Sequence, residues 1–570
     1  MKKFGLNFPL AIAAGIFCVL LGCSANVFAQ RNALDTFTIT NARIVTVSGA
    51  DIERGTIIVR DGLIFAVGAN LQVPADSRVI DGTGLTVYPG FMDAHSNLGI
   101  AAPRPQTGAP GAPGAPVAAQ QQQQQPNQAV SNSIYPVGFQ PEISAADLIR
   151  PSDTAFETAR NNGFTTALTV PRERIFVGQS ALINLAGDNA SIAIVRAPVA
   201  LHVALVPLQT GTYPTSLMGT FSALRQVFLD AQNLQDEQKN YEKNPRGLRR
   251  PESNKSLESL FPLINRQIPV VMQADTEREI LRALDLAREF NLRAMISGGG
   301  EAHKVAERLR TQDVPVLLSL NFPKRTTTAS PEADPESMEI LRLRVETPKT
   351  AGRLAQAKVR FAFQSGGMTN LADFWSNAGK AVENGLSRAD ALRAMTLSAA
   401  GIFGVDNRMG SIETGKIANL TVTRGDVFDK NRTFTHVFID GKMFEIKQTP
   451  RPPAGTGAPG TTPPGTAPAA GLPNLTGNWA LTVEIPNQST PVTLNLTQQE
   501  NRLTGNMVSP FGTSEITRGE VTAEGFRFVT VVTMGETIDV TFTGTVRGNQ
   551  MTGTATTPQG TVPFSGTRNP

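Results

Sequence analysis

The sequence predicts an α/β protein, a (β/α)8 TIM barrel with a flanking composite β-sandwich, followed by a separate all-β domain. Three observations indicate this. Between residues 89 and 403, short apolar strands alternate with amphipathic helical segments. Alternating β-type runs occupy residues 36–88 and 404–447, on both sides of that region. Residues 474–570 contain no helical period, and 570 residues at 40% hydrophobic content provide enough material for several cores.

The barrel prediction depends on counting strand positions. Eight apolar segments are candidates: TVYPGFMDAH, FTTALTV, ALINLAG, PVALHVALV, IPVVMQAD, LRAMISG, VPVLLSL and VRFAFQSG. The segments between them, such as TEREILRALDLAREFN, carry apolar residues at three- and four-residue spacing, which is typical of helices packed on one face. Eight strand and helix units in about 315 residues are the requirement of a (β/α)8 barrel.

The flanking segments predict β-structure outside the barrel. Residues 36–88 and 404–447 both consist of short alternating runs separated by Gly and Asp turns. We expect the two segments to meet in one small β-sandwich beside the barrel. Residues 448–473 are rich in Pro and Gly, which predicts a flexible linker.

The carboxyl-terminal region, residues 474–570, predicts an independent antiparallel β domain. Its alternating runs fall eight to twelve residues apart and are separated by repeated Thr-Gly turns, a pattern shared by small barrels and sandwiches. We expect Trp479 and Phe528 to fill its core, because small barrels are usually packed with side chains. A ligand inside this domain is the alternative.

A low-complexity insertion, residues 103–128, interrupts the barrel region after its first strand. It contains six consecutive glutamines, Gln120 to Gln125, and lacks the apolar periodicity of a packed segment. The position after strand one predicts a surface loop on the face where a barrel site opens. A solvated insertion is the simpler interpretation, and a lid or partner contact is the alternative.

The amino terminus, residues 1–29, predicts an export signal. It combines Lys2 and Lys3 with an apolar run from Pro9 to Gly22 and a small-residue cleavage site ending at Ala29. The run is shorter than a membrane-spanning helix requires. The expected location is therefore periplasmic or extracellular.

A lipid anchor is the alternative for this terminus. The stretch VLLGC resembles a bacterial lipobox, in which case Cys23 would carry lipid. Both cysteines of the chain, Cys18 and Cys23, lie in this segment, so cleavage at Ala29 would leave no disulfide. Removing Lys2 and Lys3 from the formal charge of +4 leaves +2, and this near-balance gives no electrostatic argument for a nucleic-acid partner.

The stretch YPGFMDAHSNLGI, residues 88–100, is the first candidate for chemistry. An apolar run leads to Asp93 and His95, and Asn97 stands where a second histidine would complete a chelating pair. Two imidazoles one residue apart project from the same face of a strand and can hold one metal ion. The stretch therefore raises the question of whether the chain is a hydrolase with an unusual metal site or a hydrolase fold that has lost its metal.

Three motifs resemble the amidohydrolase superfamily, in particular its imidazolonepropionase-like and aryldialkylphosphatase-like members. They are YPGFMDAH after the first β segment, RMGSIETGKIANLTV after the barrel, and VFIDGK near the end of the second flank. The resemblance covers residues 36–447. The domain at 474–570 resembles a small extracytoplasmic β module that accompanies some of these proteins.

The resemblance implies a mononuclear or binuclear metal site, usually zinc, at the carboxyl ends of the barrel strands. It implies an HxH pair after strand one and a bridging carboxylated Lys or Glu after strand four in binuclear members. It further implies a His after each of strands five and six and an Asp after strand eight. In that arrangement the ion lowers the pKa of bound water and the Asp accepts its proton.

When the metal-ligand pattern of the family is placed on this sequence position by position, one position holds a ligand residue. His95 matches the first His of the pair. The remaining positions hold non-ligating residues: Asn97 for the second His, Gln273 and Gly298 for the histidines of strands five and six, and Gly366, or Ser365 with a slip of one residue, for the Asp. No residue is therefore assigned a catalytic role, and any zinc or other divalent metal is expected to be weakly bound or absent.

The chain has four histidines in total, so few others could replace the missing ligands. His202 is a pocket candidate, although the strand-four segment places it nearer the opposite end of the barrel. His303 is expected on the surface of a helix, and His436 in the second flank, outside the barrel.

Two carboxylates near strand ends are further pocket candidates. Asp93 belongs to the structural context of the motif around His95, and Asp275 is expected to start or cap the following helix.

Two functional hypotheses follow. The first is an exported relative of metal-dependent hydrolases of non-peptide C–N bonds that has lost its metal, is weakly active or inactive, and binds a small molecule or an amidohydrolase-like partner protein. The second is an active amidohydrolase that cleaves a small cyclic or acylated amide with a divergent metal site. The joint loss of ligand types at four positions favours the first, because a tight zinc site normally has at least three good protein ligands.

Overall fold

A computed structural model describes residues 36–568, apart from 101–137, 209–212, 325–335, 447–472 and short gaps at 152, 173–174, 188, 367, 369, 486–487, 510–511, 523–524, 535 and 558–559. The predicted signal segment with Cys23, the loop at 103–128 and all but the last residue of the predicted linker lie outside the described residues. The described residues fall into two compact units, one ending before residue 447 and one beginning at residue 473. No helix in the described part of the chain has the length and apolar character to cross a membrane.

The first unit begins with β-structure. Its strands are β1 (Thr36–Ile44), β2 (Ile52–Arg60), β3 (Leu63–Gly68), β4 (Ser77–Asp81) and β5 (Leu85–Pro89). The barrel region follows, with β6 (Phe91–Ser96), β7 (Phe164–Thr169), β8 (Phe176–Gln179), β9 (Ala181–Asn184), β10 (Ile194–Arg196), β11 (Leu201–Ala204), β12 (Val270–Ala274), β13 (Ala294–Gly298), β14 (Val316–Ser319) and β15 (Phe361–Gln364). Three strands then close the unit: β16 (Leu420–Arg424), β17 (Thr433–Ile439) and β18 (Lys442–Glu445).

Helices separate the strands of the barrel region. They are α1 (Ala145–Leu148), α2 (Asp153–Asn161), α3 (Ala190–Ala193), α4 (Leu217–Lys243), α5 (Lys255–Glu258), α6 (Phe261–Ile264), α7 (Glu277–Glu289), α8 (Ala306–Thr311), α9 (Met338–Glu346), α10 (Thr350–Gln356), α11 (Ala372–Glu383), α12 (Arg388–Ala394) and α13 (Leu397–Ile402). Short 3-10 turns at Ala302–Val305 and Thr347–Lys349 precede α8 and α10. The Ser387 side chain accepts a hydrogen bond from Asp390 N and caps the amino end of α12.

The two flanking segments meet, as expected, in one β layer. Its strand order is β18-β17-β16-β5-β1-β2-β3, and β4 also pairs with β1. The predicted sandwich is therefore a single sheet in which hydrogen bonds connect all eight strands. Its nine-residue strand β1 makes this possible, because it pairs with β4 along Thr36–Thr40 and with β5 at Arg43 and Ile44. Apolar residues of β1, β2, β5, β16 and β17 share one core.

The barrel strands are parallel except in the segment from β8 to β10, whose pairings are antiparallel. Strand β6 pairs with β7, and β11 to β15 pair successively, all in parallel. The predicted third parallel strand is wrong: β9 runs antiparallel to β7, and β8, joined to it through Ser180, runs antiparallel to β11. The reason is the connection after β7. Residues 170–175 are too few for the helical crossover that a parallel neighbour requires.

Two apolar layers hold the barrel region together. Side chains pointing inwards from the strands, including Met92, Leu168, Val271 and Met295, form an interior cluster that α13 helps to complete. Side chains pointing outwards pack against the helices in a larger cluster. This alternation leaves the last inward-facing residue of each strand above the interior cluster, at the carboxyl ends.

The second unit is a closed antiparallel barrel of eight strands in sequence order. They are β19 (Gly477–Ile485), β20 (Gln488–Gln499), β21 (Arg502–Ser509), β22 (Gly512–Thr522), β23 (Gly525–Met534), β24 (Glu536–Arg547), β25 (Gln550–Thr557) and β26 (Gly560–Arg568). Of the two predicted forms, the structure thus has the barrel. Trp479 and Phe528 are fully buried in its apolar core, as predicted.

Candidate functional site

A cavity of about 1230 Å³ opens at the carboxyl ends of the parallel strands. Its inner wall is made by the last polar residues of neighbouring strands, Gln273 of β12, Ser297 of β13, Ser319 of β14 and Gln364 of β15. Strand register brings them together, since Gln273 pairs with Ser297 and Ser319 pairs with Gln364. His95 and Asn97, from the end of β6 and just beyond it, complete this wall.

His95 is held by a chain of polar side chains. Its Nδ1 lies 3.3 Å from Ser297 Oγ, and that oxygen accepts a hydrogen bond of 3.1 Å from Gln364 Nε2. Gln364 Nε2 also donates to the carbonyl of Leu317 at 2.6 Å. Burial lowers the pKa of His95 to about 4, so the imidazole is neutral at pH 7. The strand ends therefore present an oriented, uncharged imidazole.

His202 lies beside His95, and the expectation that it sits towards the opposite end of the barrel is wrong. The two ring centroids are 5.5 Å apart at an interplanar angle of 82°. Strand β11 has only four residues, so its second residue already lies close to the carboxyl end. His202 is 2% exposed and its Nε2 has no hydrogen-bond partner. Burial, and secondarily the electrostatic effect of His95 when that ring is protonated, hold the pKa of His202 well below its usual value.

The two imidazoles also line a smaller cavity of about 480 Å³. Asn97, Gln273 and Ser297 line both cavities, so the histidine pair lies where they adjoin. Arg172 contributes a positive charge to the lining of the smaller cavity.

Asp93 does not face either cavity. Its carboxylate accepts hydrogen bonds from the backbone N–H of Ser365 at 2.9 Å and of His95 at 3.2 Å, and its second oxygen bonds the Ser365 hydroxyl. Burial raises the pKa of Asp93 to about 6, although the bonds from Ser365 and His95 oppose this. Asp93 thus connects β6 to the end of β15, and it positions the backbone of His95.

The positions that the family pattern assigns to the other ligands have different roles in this structure. Asn97 Nδ2 donates to the carbonyls of Val170 at 2.7 Å and Pro171 at 3.5 Å, which occupies its amide hydrogens. Gln273 is exposed to the cavity.

At neither glycine position could a ligand side chain be added without a shift of a neighbouring side chain. Gly298 has φ +102°, and a Cβ there would collide with the Asp275 carboxylate. A Cβ at Gly366 would lie 2.9 Å from Gln364 Oε1. Ser297, rather than Gly298, is the β13 residue that contacts His95.

Asp275 lies in the cavity wall beyond the strand ends. Its predicted role as a helix cap is wrong, because Thr276 caps α7 and forms a capping box with Glu279. Burial raises the pKa of Asp275, which a backbone hydrogen bond from Gly300 opposes.

His303 also lines the large cavity, and the prediction of a surface helix position is wrong. It is in the 3-10 turn before α8, where its Nδ1 lies 3.1 Å from Thr350 Oγ1. Burial is the largest cause that lowers its pKa. His436, on β17, lines neither cavity, and its Nδ1 lies 3.1 Å from Thr435 Oγ1.

The donor set does not fit the metal site that the family pattern implies. Within the described ranges, no three His, Cys, Asp or Glu side chains are grouped so that they could hold an ion. The two strong donors at the strand ends are His95 and His202, and the nearest carboxylate on β6, Asp93, is turned towards Ser365. Amide oxygens are weak neutral donors compared with the thiolates, imidazoles and carboxylates of zinc sites.

Three residues of this site were missed by sequence reasoning: Ser297, Ser319 and Gln364. Each is a polar residue at the end, or next to the end, of an otherwise apolar strand, as in AMISG, VLLS and FAFQ. That interruption is a usable signal, because parallel barrel strands are buried on both faces and carry polar residues mainly where a cavity opens.

Comparison with known proteins gives consistent results. The model of the amidohydrolase family matches residues 324–444. The crystal structure of an amidohydrolase from Thermotoga maritima MSB8 is similar with a TM-score of 0.58 and 25% identity, over 72% of this chain and 100% of that chain.

Two curated relatives match short segments. An N-substituted formamide deformylase of Arthrobacter pascens is 37% identical over 73 residues, which are 12% of this chain and 14% of the deformylase. A dihydroorotase of Mycobacterium tuberculosis is 44% identical over 46 residues, which are 8% of this chain and 11% of the dihydroorotase. The match thus spans well under a fifth of either relative.

Proposed function

Because this chain belongs to the amidohydrolase superfamily, we propose that it is a member that has lost its metal chemistry and binds a small polar molecule in the cavity at the strand ends. The observation that carries this proposal is the donor set. His95 faces one imidazole, a hydroxyl and amides, and the Asp93 carboxylate is bonded to Ser365. Such a wall can orient a ligand, and it lacks the third strong donor of a tight zinc site.

The unpaired nitrogen of His202 supports ligand binding. A buried polar atom without a partner costs about 1–3 kcal/mol, so native structures rarely retain one without a reason. His202 Nε2 is such an atom, and its ring lines a cavity of about 480 Å³. A ligand that offers a hydrogen-bonding group at this point would remove the penalty.

The chemistry of the inner wall indicates the class of ligand. Neutral imidazoles, the hydroxyls of Ser297 and Ser319, and the amides of Gln273 and Gln364 offer donors and acceptors without net charge. Titratable and charged side chains, among them Asp275 and Glu301, line the cavity elsewhere. An uncharged molecule rich in hydroxyl or amide groups matches this wall best.

Metal analysis tests the proposal. We expect protein purified from zinc- and manganese-supplemented cells and dialysed against metal-free buffer to retain well under 0.1 equivalent of either metal. His95→Ala should leave that small amount unchanged. A stoichiometric metal content that disappears in His95→Ala and persists in His436→Ala would overturn the proposal in favour of an active amidohydrolase with a divergent site.

We also propose that the protein is exported. The support is the basic start, the apolar run Pro9–Gly22 and the cleavage site ending at Ala29. Mass spectrometry of the protein from its native cells distinguishes the two forms, since a soluble form begins at Gln30 and an anchored form begins with lipid-modified Cys23. A chain that retains Lys2 and Lys3 would contradict export by this signal.

A further inference from the structure

A third cavity, of about 450 Å³, lies at the amino ends of the parallel strands, opposite the site described above. It is bordered by residues that immediately precede β12 to β15, among them Pro269, Arg293, Pro315 and Arg360. These positions belong to helix-to-strand connections, whereas the first cavity is formed by strand-to-helix connections. This third cavity is therefore independent of the histidine pair.

Four arginines border this cavity with a single carboxylate. The arginines are Arg266, Arg288, Arg293 and Arg360, and the carboxylate is Asp313. The lining thus carries a formal excess of three positive charges, compared with +4 for the whole chain of 570 residues. Like charges concentrated around one concave site repel one another unless an anion is bound between them.

The ion pairs around the cavity do not cancel this excess. Asp313 accepts from Arg360 at 2.8 Å, but its side chain is 81% exposed. Arg288 is bonded to Asp285 at 3.2 Å, and Arg308 bonds the same carboxylate oxygen at 2.6 Å. One carboxylate outside the cavity thus serves two guanidinium groups.

Two further arginines are tied to backbone, which fixes their position without neutralising them. Arg266 Nη1 donates to the carbonyl of Asn291 at 2.9 Å and to its side-chain oxygen at 2.8 Å. Arg293 Nη1 donates to the carbonyl of Arg266 at 3.3 Å. Both side chains retain further N–H donors for a ligand.

The cavity has an apolar wall behind the arginines. Leu284, Met295, Val314 and Ile402 line it and are buried. A concave shape with this volume lies in the usual range of small-molecule sites, which is about 300–1,000 Å³. This favours a compact ligand over an extended acidic segment of a protein.

We propose that this cavity binds a compact polyanion whose phosphate or carboxylate groups are bridged by the arginines. Guanidinium groups match both anions because they donate two parallel hydrogen bonds to a pair of oxygens. Inorganic pyrophosphate and citrate represent the two chemistries at a size that this cavity accommodates. The proposal is independent of the ligand at the strand ends.

Calorimetric titration of the purified protein tests the proposal, with pyrophosphate and citrate in separate series at constant ionic strength. We expect saturable binding of one equivalent of at least one of them. The double variant Arg288→Gln/Arg360→Gln should bind at least tenfold more weakly. The control Arg249→Gln/Arg250→Gln removes the same charge from an exposed loop and should stay within twofold of the wild type.

Asp313→Asn provides a variant that should gain affinity. It removes the one carboxylate of the cavity and releases Arg360, and Asn tolerates the φ of +52° at this position. We expect binding at least threefold tighter, a result that misfolding cannot imitate. The two titrations also identify the class of ligand. If pyrophosphate binds more tightly than citrate, the natural ligand carries phosphate groups, and if citrate binds more tightly than pyrophosphate, it is a polycarboxylate. Absence of saturable binding below 1 mM, or equal weakening in both double variants, overturns the proposal.

Discussion

The two ends of the parallel strands carry polar residues that are integrated into the fold to very different degrees. At the carboxyl ends, Ser297 and Gln364 are buried and bonded to each other, and Gly298 has no space beside Asp275. At the amino ends, Arg288 and Arg360 are 72% and 52% exposed and each forms an ion pair with an exposed partner.

This difference separates two kinds of position. Polar residues at the carboxyl ends are supported by their neighbours, so a single substitution to a metal ligand there would meet steric or hydrogen-bonding conflicts. Arginines at the amino ends contribute little to packing, so folding alone does not explain why four of them border one cavity. The comparison predicts that substitutions are costly at one end and nearly neutral at the other.

The largest effect is expected for Gly298→Ala. The positive φ of this residue disfavours any side chain, and the new Cβ would collide with Asp275, so we expect a loss of about 4 kcal/mol in the free energy of unfolding. Urea denaturation followed by fluorescence measures it. The chain has two tryptophans, so a Trp479→Phe background leaves Trp375, buried in the first unit, as the reporter.

A matched control isolates the collision. Gly385 has φ +105° and open space around the position of a Cβ, so Gly385→Ala includes only the backbone strain. Gly298→Ala should cost more than this control, and Asp275→Ala in the same chain should recover part of the difference. Equal losses for the two glycine variants would show that the carboxyl end is not tightly packed at this point.

The next effect concerns the dependence of stability on pH. Burial lowers the pKa of His95 from 6.5 to about 4, so between these values the unfolded chain binds a proton that the folded chain excludes. The free energy of unfolding therefore falls as the pH drops from 6.5 to 4, by about 3 kcal/mol from this residue.

Comparison with His95→Gln isolates this contribution in EDTA-treated protein. The variant cannot titrate at this position, so its stability should fall less than that of the wild type over the same pH range. His436→Gln is the control, since His436 is only partly buried and should contribute a smaller slope. Parallel pH curves for the wild type and His95→Gln would contradict the burial of a neutral imidazole at the strand ends.

The sequence predicted the strands of the fold better than the details of the site. Apolar periodicity located all eight candidate strands, because this periodicity reports burial directly, and seven of them have a parallel neighbour. The periodicity could not reveal the direction of β9. The sequence did show that the connection at residues 170–175 is short, which favours an antiparallel strand after it. Direction depends on how the chain travels between strands, which apolar residues alone do not encode.

The site was harder to predict because it depends on register. A shift of one residue decides whether Ser297 or Gly298 contacts His95, and a short strand β11 decides where His202 lies. Family motifs fixed His95 and Asn97, which adjoin a conspicuous sequence pattern. Ser297 and Gln364 carry no such pattern, so their part in holding His95 follows only from the paired strands.

The smallest effect is expected at the amino ends. Arg360→Ala removes an ion pair with Asp313 in which both side chains are more than half exposed, so the free energy of unfolding should change by less than about 0.5 kcal/mol. The same Trp375 fluorescence measurement tests this. A loss near that of Gly298→Ala would show that Arg360 supports the fold, and its place beside the cavity would then need no ligand. A negligible loss in the free energy of unfolding would show that the fold does not need this arginine. The excess positive charge around the cavity would then be explained by anion binding.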